Sequence, residues 1–143
     1  MDLLDNTQPG NRVYQSGTYS GNPLTLAAGL ANLKALTPDA YEHLDALGER
    51  LADGLRHAFA DADIPARLLQ RGSLLHSYFL DPNTPVSDYR TMAKHDGVLA
   101  HDLFLATTME GFFTGKGEFV LSTPMENEHI DGLIEATSRI LAG

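Results

Sequence analysis

The chain has no cysteine, which excludes disulfides, thiolate metal sites and cysteine nucleophiles together. Positive charge is scarce: 10 Lys and Arg stand against 19 Asp and Glu, for a formal charge of −9. A balance of that sign disfavours contact with nucleic-acid phosphates. A phosphate-bearing small molecule stays open, because backbone amides bind phosphate without net positive charge. No stretch approaches the roughly 18 apolar residues that a membrane helix requires. The opening MDLLDNTQPG lacks the basic-then-apolar order of a signal segment. These absences lead us to expect a soluble, cytoplasmic protein with no nucleic-acid partner and no membrane partner. The six histidines (His43, His57, His76, His95, His101 and His129) form no i, i+4 ligand pair, so no metal site is expected. Ser73 and Ser77 have no GxSxG setting, which leaves a hydrolase triad without support.

What is present is 143 residues, 43% of them apolar, enough for one compact core. Residues 1–12 are polar and hold Pro9 and Gly10, an irregular start. A short extended piece from Val13 leads into glycines and a helix start at Asn22-Pro23, with the helix running to about Leu36. Thr37-Pro38 opens the strongest helix, in which Tyr41, Leu44, Leu47, Leu51, Leu55 and Phe59 recur every three or four residues. Its other face, with Glu42, Asp45, Glu49, Arg50, Asp53 and Arg56, suits solvent. ARLLQRG and SLLHSYFL read as paired strands joined at Gly72. Ser87-Asp88 then caps a helix to about Ala106, which Gly97 could interrupt. GFFTGKGEFVLSTP reads as a hairpin-like stretch with a buried strand at Phe119, Val120 and Leu121. A last helix aligns Ile130, Leu133, Ile134, Ile140 and Leu141, with Glu126 and Glu128 at its positive end. This order predicts an α+β fold, a small antiparallel sheet covered by helices.

The stretch with chemical content is Gly17-Thr18-Tyr19-Ser20-Gly21-Asn22-Pro23, two glycines and two hydroxyl residues directly before a helix N-terminus. The first amides of a helix lack intrahelical acceptors and carry partial positive charge, so a phosphate could sit there. The same residues also serve as ordinary helix-capping chemistry, and physics alone favours that plainer role.

Residues 13–30, VYQSGTYSGNPLTLAAGL, strongly resemble a segment of the class III aminotransferases, most of all the glutamate-1-semialdehyde aminomutases. The likeness continues more diffusely through the long helix, LLHSYFLDPNTPVSDY and LSTPMENEHIDGLIEA. The resemblance implies the C-terminal domain of a fold type I transferase that uses pyridoxal 5'-phosphate. Residues 1–36 would be a remnant of the large cofactor-binding domain and residues 37–143 the small C-terminal α+β domain. Gly17 and Thr18 match the positions that contact the phosphate of the neighbouring subunit's cofactor in a homodimer. Glu110 falls where aminomutase relatives place a carboxylate near the substrate, and Lys116 where some aminotransferases place a cation for the substrate carboxylate. The plainer reading of both is a solvated loop charge. Substrates would be small amino and keto acids.

Such chemistry requires a Schiff-base lysine and an acid that protonates the cofactor ring. Lys34, Lys94 and Lys116 are the only lysines, and none lies in the glycine-rich strand-end setting of the family. We therefore expect the chain to be inactive alone, with those groups upstream in an intact enzyme. The alternative is a non-catalytic binding or dimerisation module that kept the fold. Against it stands the helix LTLAAGLANL, apolar or small nearly all round, which requires a partner surface.

Overall fold

The computed structural model describes residues 17–143. The sequence expectations for residues 1–12 and for the extended piece at Val13 lie outside the described residues. The chain divides into two compact units, the first ending at Thr37 and the second spanning Pro38–Gly143.

In the first unit helix α1 covers Pro23–Ala35. Asn22 stops the preceding turn and caps the helix: its Oδ1 accepts from the backbone N–H of Leu24 at 2.9 Å and of Thr25 at 3.3 Å. Pro23 fits the first helical position because the N–H it lacks would have no partner there. No residue of α1 is buried.

The second unit is built on α2 (Pro38–Asp61). Its apolar spacing places Leu44, Leu47, Leu51, Leu55 and Phe59 on one stripe, and all five are buried. Tyr41, expected on that stripe, is 53% exposed instead. It sits in the first turn, where the helix overhangs the core.

Strands β1 (Arg67–Arg71) and β2 (Leu74–Tyr78) form an antiparallel hairpin with Leu69 opposite His76. The turn requires Gly72, whose φ of +56° few other residues adopt. Leu75, Ser77 and Phe79 point into the core, and the period of two sends His76 to the other face.

Two expectations need correction downstream of β2. The helix expected over residues 88–106 is indeed interrupted before Gly97, and it is two helices, α3 (Tyr89–Met92) and α4 (Gly97–Met109), the second running past the expected end at Ala106. Asp96 breaks it: its side chain accepts from the N–H of Val98 and of Leu99, both at 3.0 Å, while its own N–H donates to the Phe79 carbonyl. A new cap forces a new helix. The second correction concerns GFFTGKGEFVLSTP. Strand β3 (Glu118–Val120) pairs with β2, giving the order β1-β2-β3, and the residues before it form a tight turn rather than a partner strand. Phe119 and Leu121 are buried as expected, but Val120 is 70% exposed.

Helix α5 (Asn127–Ala142) closes the core through Ile130, Leu133, Ala136 and Thr137. Its start is fixed by the Glu126 N–H donating to His129 Nδ1 at 3.0 Å. Arg50 on α2 grips Asp131 on α5 with a bidentate pair at 2.5 and 2.7 Å. The sheet thus has helices on its core face, the α+β architecture expected.

Candidate functional site

The Gly17–Asn22 loop is exposed along its length. The Ser20 N–H donates to the Gly17 carbonyl at 3.0 Å, and the Asn22 N–H to the Tyr19 carbonyl at 3.2 Å. These two turns leave the Thr18 and Tyr19 amides without an acceptor among the described residues. The helix end takes the plainer, capping role: Asn22 already occupies the Leu24 and Thr25 amides. An anion at this loop would therefore use the turn amides and the Thr18 and Ser20 hydroxyls, not the helix terminus. The residues fit half of a phosphate site, open on the side that another surface would close. A Cβ at Gly17 would meet only the Ser20 hydroxyl, at 2.9 Å, which a rotation of that exposed side chain relieves.

Glu110 and Lys116 both belong to the second unit but are engaged differently. Glu110 ends α4, and its Oε2 accepts from an Arg139 Nη at 2.9 Å. Lys116 sits in the turn before β3 and makes no ion pair among the described residues. It borders a cavity of about 190 Å³ together with His76, Tyr78, Met92, His95, Gly97 and Ala100. Glu110 is not part of that lining. A separate apolar hollow of about 510 Å³ lies between residues 111–115, β3 and α5, with Phe113 at its exposed mouth.

Sequence reasoning takes His76 as a strand residue of ordinary packing and gives His95 no role. The His76 ring stacks on Tyr78 with centroids 4.1 Å apart, and Tyr78 meets His95 edge-on at 5.8 Å. Burial pushes the His76 imidazole below its ordinary value, Glu118 at 3.6 Å partly restores it, and the neighbouring His95 lowers it again. The signal available in the sequence was only that His76 alternates with the core residues of β2. Among the described residues no group of three or more acidic or histidine side chains could hold a metal ion.

The three-stranded antiparallel sheet with helices on its core face is shared with part of several solved transaminases. A beta-phenylalanine aminotransferase from Variovorax paradoxus superposes with a TM-score of 0.80 and 30% identity, covering 100% of this chain and 33% of its own. A transaminase solved with pyridoxal phosphate bound superposes at 0.78 and 25% identity, over 99% of this chain and 32% of its own. In sequence the chain is 34% identical, over 99% of its length, to glutamate-1-semialdehyde 2,1-aminomutase 1 of Staphylococcus aureus. It spans about a third (33%) of that relative's length. No family model matches the chain. By sequence and by fold, the chain is similar to about a third of an aminomutase and of these aminotransferases.

Proposed function

We propose that this chain works as the C-terminal part of a pyridoxal-phosphate enzyme that moves an amino group on small amino or keto acids, of the glutamate-1-semialdehyde aminomutase type. The observation that carries the reading is the coincidence of two things: likeness along nearly the whole chain to one aminomutase, and an exposed Gly17-Thr18 turn with open amides. Residues 1–36 then belong to a large cofactor domain and residues 37–143 to the small domain. When bound, the cofactor supplies an electrophilic aldehyde and a ring that takes up carbanion charge.

The chain's own residues do the holding. The Thr18 hydroxyl and neighbouring amides bind the phosphate ester of the partner subunit's cofactor, so the working unit is a homodimer, located in the cytoplasm. The small domain walls one side of the substrate chamber and excludes water from it. Lys116 offers an ammonium to a substrate carboxylate. Glu110 lies near the substrate only after releasing Arg139, because the pair holds the carboxylate away.

The test is to express the longer reading frame that contains this segment and to follow cofactor absorbance and amino transfer. Thr18→Val should weaken cofactor affinity by about tenfold or more, the size of a lost hydrogen bond to a charged group. Conversion of glutamate-1-semialdehyde without an added keto acid would identify an aminomutase. A dependence on a second amino or keto acid would identify a transaminase. Binding of neither cofactor nor substrate would favour a non-catalytic module.

A further inference from the structure

The cavity beside Lys116 has a composition that packing alone does not explain. Its lining combines two imidazoles, a phenol and an ammonium with Met92, Gly97 and Ala100, and it contains no carboxylate. In a chain of net charge −9 that exclusion is notable. His95 Nδ1 is buried and has no hydrogen-bond partner, so the ring meets the cavity by its other atoms. The His76 and Tyr78 side chains share the face of β2 turned away from the core, and their rings are stacked, so their polar edges are held in place. Next to Lys116, Gly117 has φ at +90°, and an added Cβ would stand 2.6 Å from the Ser77 carbonyl oxygen, so the turn that presents Lys116 requires glycine. About 190 Å³ is room for about six waters, enough for an anionic head group and too little for a whole cofactor.

We propose that His76, Tyr78, His95 and Lys116 form a binding pocket for a small oxyanion, a carboxylate or a phosphate. Lys116 supplies the fixed charge from the rim, Tyr78 a hydroxyl donor, and His95 the ring edge that borders the cavity. His76 is shared between the anion and Glu118, which lies 3.6 Å from its Nδ1. Lys116 is the one residue this pocket shares with the reading above. The other three lie outside it, and all four belong to the Pro38–Gly143 unit.

The charged and titratable groups around His76 are Glu118 on β3, His95 before α4, Tyr78 beside it on β2, and Lys116 in the turn. Arg67, opposite Tyr78 on β1, directs a guanidinium nitrogen to the Pro82 carbonyl. Asp96 is spent on capping α4. An anion stabilises imidazolium, so its binding must tighten as pH falls and must take up protons.

The experiment is nitrogen NMR of the histidine rings in this chain, titrated with inorganic phosphate and, separately, with malonate, at constant ionic strength set by sodium chloride. Saturable shifts of His76 and His95, with His43 and His129 unmoved, are expected. Saturation by malonate at lower concentration identifies a carboxylate pocket, and the reverse order a phosphate pocket. Lys116→Met, an exposed substitution, should weaken binding at least tenfold, and Tyr78→Phe, which keeps the ring stack, about threefold to tenfold. Shifts that follow chloride equally, or that persist unchanged in Lys116→Met, would overturn the proposal. Because no cofactor or turnover is measured, failure of the aminotransferase reading would leave this result standing.

Discussion

Helices α1 and α2 are both rich in leucine, yet one is wholly exposed and the other forms the floor of a core. In α2 the leucines recur at three and four residues and charges fill the gaps, so one face can be buried while the other stays in water. In α1, PLTLAAGLANLKA, apolar and small residues run round the whole circumference, and Lys34 is its only charge. Leu24 at 79% and Leu33 at 68% exposure lie on a surface that the described residues do not cover. An amphipathic helix carries the instruction for its own partner face. A helix that is apolar all round requires cover on every side, and its fold is completed by surface from elsewhere.

The sharpest way to break this contrast is a matched pair of leucine truncations. Leu51→Ala, at a position with no exposure, should cost about 3 kcal/mol in urea unfolding of the second unit. Leu26→Ala in α1 should leave that midpoint within about 0.5 kcal/mol. A second pair probes the glycines of α2. At Gly48 a new Cβ would collide with the Gly72 carbonyl oxygen, backbone that cannot yield, and Gly48→Ala should destabilise by about 1–3 kcal/mol. At Gly54 the obstacle is the Ile134 side chain, whose Cγ1 and Cγ2 would stand 2.6 and 2.9 Å away, and its displacement offsets the gain of about 1 kcal/mol that alanine brings to the helix, so Gly54→Ala should destabilise, though less than Gly48→Ala.

Exposure of α1 predicts self-association of the isolated chain. Sedimentation velocity should show it, and Leu24→Ser with Leu30→Ser should reduce it without moving the unfolding midpoint. Smaller still are the pH effects. His76 is held below its ordinary value near 6.5, so the unfolded chain binds its proton first. Stability should therefore decline as pH falls through about 6.5 and level off below the folded value, and His76→Gln should flatten that step in a thermal melt. Asp131 is shifted down by its hydrogen bonds to Arg50. Its contribution is present above the ordinary carboxylate value and is lost as pH falls through the lowered one, the smallest change we expect.

The elements that sequence reasoning located are those whose cause is local. Asn22-Pro23 caps and opens α1, Gly72 turns the hairpin, and the leucine spacing builds α2, each from residues close in sequence. Errors arose where the decisive partner is distant or the element short. The α3–α4 break depends on Asp96 anchoring to the Phe79 carbonyl, and four residues of α3 offer no periodicity to read. Strand β3 was read with its sequence neighbours, although its partner β2 lies far upstream and supplies the pairing edge. The cluster of His76, Tyr78 and His95 was hidden for the same reason: two elements separated by a loop bring the rings together. Thr18, by contrast, was singled out through a resemblance to known enzymes. Physics of the segment alone favoured an ordinary cap, and Asn22 does perform that cap.

The contact between Gly48 and the Gly72 carbonyl has a consequence for the variation this unit can tolerate. Most of the buried face of α2 is side chain against side chain, where a neighbour can change rotamer and a second substitution can repair the first. At position 48 main chain rests on main chain, and no neighbouring residue can be exchanged to make room. In a library randomised along α2, leucine sites should accept compensated replacements in pairs, while position 48 should return glycine from nearly every folded clone.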